Sequence, residues 1–554
     1  MRKRFTLICM VLGFALHAQK HNYIYFVSFK DKNNSSFSVK KPQEFLSEKA
    51  LLRRAKYNVR IDETDLPVNE LYIKKVCNKK VKFKNSTKWL NGILVEITDT
   101  EAVADIFKNE FVASVQKVAV YDRKQVAKKE ESTATPEEAE VDTETRNYTD
   151  DRAVYGKSFD QIKMLQGIAL HQLKYTGEGV TIAVLDAGFF NANKLAWFNK
   201  LQRSHQIVLW KDFVDNDFNV FDGNAHGLEV LSCMATGDTG SYIGTAPKAK
   251  YLLLRSEDAE TEQPVEEINW SVAAEFADSC GVDLITTSLG YNLFDDISSS
   301  HTYEQLDGRI ANISKAAEIA FSKGIVVVCS AGNDGGNPWR HIGFPADAPH
   351  ALSIGAVDMD RVIAYFSSQG PTADGRVKPD VSAPGVSAAV ESPDGTVAFS
   401  NGTSFSAPIT AGLVACLMQA HPSRSPQQIN DAVRQSADRA DIQDTIYGFG
   451  IPDFNLANLI LGDSSLDSNK DQLVNVSYNL EDKMFAFTIY SASPQIMGFK
   501  LVDENGTIIK TGTQQCMSKK FQHFYIDELA LPYSKKGYGF IIENDKHQTF
   551  VKLF

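Results

Sequence analysis

Val180-Thr181-Ile182-Ala183-Val184-Leu185 runs straight into Asp186-Ala187-Gly188. The run is short, apolar and β-branched, the pattern of a strand buried on both faces of a parallel sheet. A carboxylate just past the end of such a strand stands where open α/β sheets place their sites. A second run, Ile325-Val326-Val327-Val328-Cys329, repeats the pattern and ends at Ser330-Ala331-Gly332-Asn333. Its asparagine carries an amide N–H₂ able to donate hydrogen bonds at the same end of the sheet.

Further along, Asn401-Gly402-Thr403-Ser404-Phe405-Ser406-Ala407-Pro408 places a serine at a glycine-marked turn. The turn leads into Ile409 to Ala420, apolar on nearly every face and read as a buried helix. A hydroxyl there sits near the positive end of a helix dipole, among first-turn N–H groups that lack intrahelical acceptors. Ser404 therefore reads as a nucleophile. It needs a base, a carboxylate to orient that base, and donors for an oxyanion. Asn224-Ala225-His226-Gly227-Leu228-Glu229-Val230 supplies a histidine between a polar loop and an apolar, helical stretch, Val230 to Ala235. Each residue has another reading by itself: Asp186 and Asn333 as turn formers, His226 as a loop histidine, Ser404 as an N-cap before a first-turn proline. Taken together, each at the end of an element and close to a glycine, they favour nucleophilic chemistry.

In the order Asp, His, Asn, Ser, these segments resemble the subtilisin-like serine proteases, the subtilase family, from roughly Tyr155 to Leu461. The resemblance implies a doubly wound α/β catalytic domain and a serine endopeptidase acting through an acyl-enzyme. By position it implies Ser404 as nucleophile, His226 as general base and then acid, and Asp186 as the carboxylate that orients the imidazole. Asn333 is implied as the side-chain oxyanion donor, beside the backbone N–H of Ser404. Ser288-Leu289-Gly290, ending the run Val282 to Thr287, resembles the strand that pairs with the substrate backbone and walls the primary specificity pocket. Ser330-Ala331-Gly332 is implied as the other wall. Gly290 and Gly332 leave room for a bulky side chain, and Asp334, near the pocket mouth, favours a basic one. The resemblance calls for no metal or organic cofactor in the chemistry. Structural calcium is common in the family, but no ligand cluster is readable from spacing here.

Two positions depart from the family pattern. Ala187 stands where serine or threonine is usual, which removes a hydroxyl able to support Asp186. Gly227-Leu228-Glu229-Val230 stands where the family has Gly-Thr-His-Val, and Glu229 is expected to be solvated and to point away from His226. These departures are the main support for an alternative, a protease-fold surface binding protein with little or no activity. Esterase chemistry is a second alternative.

The 554 residues exceed what one domain usually holds and predict three folded units. Met1-Arg2-Lys3-Arg4 and the apolar stretch from Phe5 to Ala18 read as a signal peptide, residues 1–18, and point to a secreted or cell-surface protein. Residues 19–122 read as an α+β unit, with strands at Tyr23 to Phe29, Lys80 to Lys84, Gly92 to Thr98 and Val112 to Val120, and helices at Pro42 to Tyr57 and Thr100 to Asn109. That order resembles the propeptide preceding many subtilase catalytic domains, which acts as an intramolecular chaperone and lies across the active site. Residues 123–152 form a linker. Glu130 to Asp151 carries nine acidic residues against the single Arg146, cannot bury enough surface to order itself, and is the expected region of propeptide cleavage. The catalytic domain then occupies 153–462.

Residues 463–554 change to short strands divided by turns and read as a small β-sandwich. The tail, Leu531 to Phe540 with Thr549 to Phe554, resembles the sorting domain of the bacterial type IX secretion system and implies that machinery as a partner. No later segment reaches the ~20 apolar residues of a membrane helix. The net charge of −11 argues against general nucleic-acid affinity and is compatible with a polypeptide substrate. Of seven cysteines, six follow the leader without a disulfide framework, and Cys233, Cys329 and Cys416 read as buried free thiols.

Overall fold

The computed structural model describes residues 21–122, 151–462, 472–479, 484–491, 495–503, 506–516, 520–527, 538–543 and 548–553. The expected leader, the acidic linker with its cleavage region, and residues 531–537 of the tail lie outside the described residues.

Seven parallel strands form the central sheet, in the spatial order Val381–Pro384, Leu352–Val357, Val326–Ser330, Leu284–Thr287, Thr181–Asp186, Lys250–Arg255 and Ile207–Asp212. From Thr181–Asp186 the chain runs to the edge strand Ile207–Asp212, comes back to place Lys250–Arg255 between the two, and then crosses to Leu284–Thr287 and builds strand by strand to the other edge. Asp186 and Ser288 thus emerge side by side at the switch in strand order, where a crevice opens at the carboxyl ends. All six residues of Thr181–Asp186 are buried, because helices cover both faces. Ile182, Val184, Val326 and Val328 pack toward the helices His226–Ala235 and Thr403–Ala420. Ala183, Leu185, Ile285 and Val327 pack toward Val265–Cys280 and Asn312–Ser322. The alternation has period two, and each fully buried Val, Ile or Leu contributes about 1.5–3 kcal/mol. The architecture is the expected doubly wound α/β unit.

The N-terminal unit is a four-stranded antiparallel sheet in the order Val81–Thr87, Gly92–Ile97, His21–Phe29, Val112–Asp122. The helix expected over 42–57 is divided: a 3-10 turn at Pro42–Glu44 precedes Glu48–Lys56, which starts where the Ser47 side chain accepts a hydrogen bond from the Ala50 N–H. A further helix, Glu70–Val76, is capped in the same way by Asn69. The unit docks on the helix Val265–Cys280, with Ile24, Phe26, Leu94, Val118 and Ala119 packed against Val265 and Ile268.

The C-terminal region forms two small antiparallel sheets, one of three strands and one of four. Lys520–Asp527 and Gln548–Leu553 add to the strands expected there. Cys77, Cys233, Cys280, Cys329 and Cys416 are free thiols, and Cys233, Cys329 and Cys416 are buried.

Candidate active site

Asp186 ends its strand with its side chain wholly removed from solvent, and its Oδ1 lies 2.8 Å from His226 Nδ1. His226 is the first residue of its helix, so the ring projects from the helix end toward the sheet. Gly227 allows this approach, since a Cβ there would meet Gly188 O at 2.4 Å and Asp186 Cβ at 2.9 Å. Burial works to lower the imidazole pKa, but the charge and hydrogen bond of Asp186 outweigh it, Glu257 and Glu229 add to them, and the result is about 9. The expectation that Glu229 points away into solvent is corrected. It is half-buried and its charge reaches His226, because residues three apart share a helix face.

The departure at Ala187 has a visible counterpart. The Ala187 backbone N–H donates to Asp186 Oδ1 at 2.8 Å, while Oδ2 has no hydrogen-bond partner among the described residues. A hydroxyl at position 187 is the group that would have been able to reach it.

Ser404 is the second residue of Thr403–Ala420 and is 8% exposed. Gly402 before it has φ of 154°, a conformation that favours glycine. Pro408 lies four residues on and has no N–H to give the Ser404 carbonyl. That carbonyl instead accepts the Ser288 hydroxyl at 2.7 Å, while the Ser404 hydroxyl donates to the Ser288 carbonyl at 3.3 Å. The proline inside the helix thereby ties Ser404 to the strand end carrying Ser288-Leu289-Gly290. No hydrogen bond joins Ser404 to His226 among the described residues. They are nonetheless neighbours, since the His226 ring centroid lies 6.1 Å from that of Phe405.

Asn333 is oriented by a residue that sequence reasoning passed over. Its Oδ1 accepts from the Thr403 N–H at 2.9 Å and the Thr403 hydroxyl at 3.0 Å, which leaves the Nδ2 donor free of that contact. Thr403 was in the quoted motif, and its hydroxyl beside Ser404 was the available signal. The same hydroxyl accepts from the Gly332 N–H at 3.2 Å, so the wall Ser330-Ala331-Gly332 is fastened to the helix that carries Ser404. Ser288, Leu289, Ser330 and Ala331 are buried, and a Cβ on Gly290 would touch only Phe344 O at 3.9 Å. Asp334 engages Asn292 and Asn337, each at 2.9 Å. Among the described residues, no group of three or more His, Cys, Asp or Glu side chains is placed to hold a metal ion, so calcium has no assigned ligands.

Two family models match the chain: the subtilase family over residues 177–450, and the Peptidase S8 propeptide domain of Bacteroidota over residues 24–136. Serine protease AprX of Bacillus subtilis (strain 168) is 30% identical over 305 residues, which is 50% of this chain and 65% of AprX. Subtilisin E of the same strain is 30% identical over 283 residues, with 50% of this chain and 65% of that protein covered. Subtilisin BL of Lederbergia lenta is 30% identical over 291 residues, which is 52% of this chain and 94% of that protein. The chain thus spans about 65% of the length of AprX and subtilisin E.

Proposed function

From the premise that this chain belongs to the subtilase family of serine proteases, we propose that it is a secreted endopeptidase hydrolysing polypeptides through an acyl-enzyme on Ser404. The observation that carries the reading is the 2.8 Å contact between His226 Nδ1 and the buried Asp186 carboxylate. With Nδ1–H held by Asp186, the other ring nitrogen is the base.

The Ser404 hydroxyl, held at 3.3 Å from the Ser288 carbonyl, is outside the usual O–H···O range, so a side-chain rotation toward His226 sacrifices little. As Oγ attacks a peptide carbonyl, its proton passes to His226 and the developing oxyanion meets Asn333 Nδ2 and the Ser404 N–H. His226 then protonates the leaving amine, and water, deprotonated in turn by His226, releases the acid. The substrate backbone lies along Ser288-Leu289-Gly290, with one side chain between that segment and Ser330-Ala331-Gly332.

The proposal extends to the rest of the chain. Residues 1–18 direct export, the domain of residues 19–122 chaperones and inhibits the protease, and cleavage falls in the 123–152 linker. The catalytic domain is 153–462. Residues 463–554 serve type IX sorting.

The test is covalent labelling of the folded, processed protein by a fluorophosphonate probe. Labelling should disappear in Ser404→Ala and His226→Ala, and Asn333→Ala should lower turnover by about 100-fold to 1,000-fold. Unlabelled, correctly folded protein would overturn the reading in favour of a protease-fold binding protein.

A further inference from the structure

Between Gly290 and the helix Asn312–Ser322 the chain makes a long excursion, and its fixed point is His301. The side chain is 13% exposed, and its ring lies between two acceptors. Nε2 faces Glu267 Oε1, and Nδ1 faces Gln305 Oε1 at 2.9 Å. The Gln305 oxygen also accepts the Thr302 N–H at 3.3 Å, so turning the amide to offer N–H₂ to the ring would set it against that donor. Two acceptors across one imidazole call for a proton on each nitrogen, which makes His301 an imidazolium. Burial works to lower the ring pKa, but the hydrogen bond and charge of Glu267 outweigh it. Gln305 and Asp347 add to them, and the pKa stands above the ordinary histidine value.

Glu267 is buried, and its second oxygen accepts the N–H groups of Asn312 at 2.9 Å and Ile313 at 3.4 Å. His301 is thereby tied to two helices. Its other contacts lead to the primary pocket. The ring centroid lies 4.3 Å from that of Phe344. Phe344 exchanges both backbone hydrogen bonds with Tyr291, each at 3.0 Å, and Tyr291 directly follows Gly290. On the other side, the Gly343 N–H donates to the Ala331 carbonyl at 3.0 Å. Gly343-Phe344 therefore bridges the two walls, and His301 stands against that bridge. The His301 N–H also donates to the Asn292 carbonyl at 2.8 Å, and the Asn292 side chain reaches Asp334, two residues past Gly332.

We propose that His301 is a positioning residue for the primary pocket: doubly protonated, it holds the Gly343-Phe344 bridge and with it the spacing of the Ser288–Gly290 and Ser330–Gly332 walls. The inference rests on the endopeptidase reading and deepens it. These contacts run to the walls and not to Ser404 or the Asp186–His226 pair, so the His301 proton governs binding of the side chain at the scissile bond and leaves the chemical step alone. Glu267 faces the ring from the Val265–Cys280 helix, Gln305 from its own segment and Asp347 from beside the bridge, while Phe294 and Phe344 supply the apolar sides. When the ring gives up a proton, one acceptor is left facing a lone pair and the buried Glu267 loses its countercharge. A raised pKa puts that loss on the alkaline side: the pocket is tight below it and slackens as pH rises through it.

The test measures kcat and KM of the self-processed wild-type protein and of His301→Gln across the titration of His301, on peptide anilides with Phe or Ala before the scissile bond. Glutamine keeps a donor toward Glu267 without the charge. Amide substrates keep the chemistry slow, so KM follows binding. In the wild type, KM for the Phe peptide should rise about tenfold with pH, the size of a hydrogen bond to a charged group. In His301→Gln it should be high and flat throughout, with kcat unchanged and KM for the Ala peptide within about twofold of wild type. A wild-type KM for the Phe peptide that ignores pH overturns the proposal whether or not the variant folds, and so does a variant that keeps the wild-type pH dependence. Equal losses on the Phe and Ala peptides overturn it too, because the effect would then not pass through the pocket. Fluorophosphonate labelling of Ser404 separates the two failures: unlabelled wild-type protein defeats the endopeptidase reading, and labelled protein with a flat KM defeats the positioning role alone.

Discussion

The helix Val265–Cys280 carries buried carboxylates at both ends, and the propeptide domain lies against both, yet the two ends are treated in opposite ways. Near the C-terminus, Asp278 is 0% exposed and pairs with Arg53, with Arg54 at 2.9 Å and with Lys88 at 3.5 Å. One turn earlier, Glu275 accepts the Thr87 hydroxyl and the N–H groups of Lys88 at 2.7 Å and Trp89 at 2.9 Å. At the N-terminus, the buried Glu266 carboxyl has no cation paired with it among the described residues, and the Gln263 backbone is the one group beside it that favours its charged form. The helix dipole alone would favour the reverse arrangement, since it stabilises anions at the N-terminus, but its contribution is only about 0.3–1 kcal/mol. Breaking a buried ion pair costs about 3–5 kcal/mol, so pairing decides. One end of the helix is built to hold the propeptide domain, and the other keeps a buried carboxyl that burial and neighbouring negative charge hold in its protonated form.

The sharpest way to break this contrast is Asp278→Ala, which leaves Arg53 and Arg54 buried without their shared carboxylate. Docking should weaken by about 3–5 kcal/mol. Hydrogen exchange on the full chain reads it: amides of Glu48–Lys56 should exchange at least about 100-fold faster while those of the Thr181–Asp186 strand keep their protection. Unchanged exchange in Glu48–Lys56 would show that the apolar contact of Ile24 and Phe26 with Val265 and Ile268 holds the domain without the ion pairs.

Next in size is Glu275→Gln. The substitution keeps the shape but puts an amide N–H₂ toward one of the donors the carboxylate now accepts from, a loss of about 1–3 kcal/mol. The expected sign is faster proteolytic nicking between Thr87 and Gly92 in the intact chain; nicking at the wild-type rate would mean that the turn is held by its own strands.

The central sheet was legible because its signal is local: Thr181–Asp186 and Val326–Ser330 announce themselves by unbroken apolar runs. Asp186, His226, Asn333 and Ser404 were legible because each sits at the end of such an element, and the structure brings Asp186 to His226 and Asn333 to Thr403 beside Ser404. The propeptide interface was not, because Arg53 and Asp278 are 225 residues apart and nothing in either neighbourhood names the other. The Glu70–Val76 helix is seven residues long, too short for apolar periodicity to show. Glu229 was misread by comparing adjacent residues, when the relation that matters on a helix is His226 to a residue three positions on. Glu266 looks like an ordinary solvated charge until the fold buries it.

The smallest effect is also the one that most directly tests why the N-terminal end is left unpaired. An acid whose folded-state pKa is raised binds more protons folded than unfolded, so stability falls as pH rises between the two values. For Glu266 that window opens near the ordinary carboxyl value of 4.5 and closes at about 10. Glu266→Gln should therefore match the wild type at pH 4 and exceed it at pH 8 by about 1–2 kcal/mol, read as a higher urea midpoint at unchanged slope. Equal midpoints at pH 8 would mean that the carboxylate is already compensated, and the contrast between the two ends would collapse.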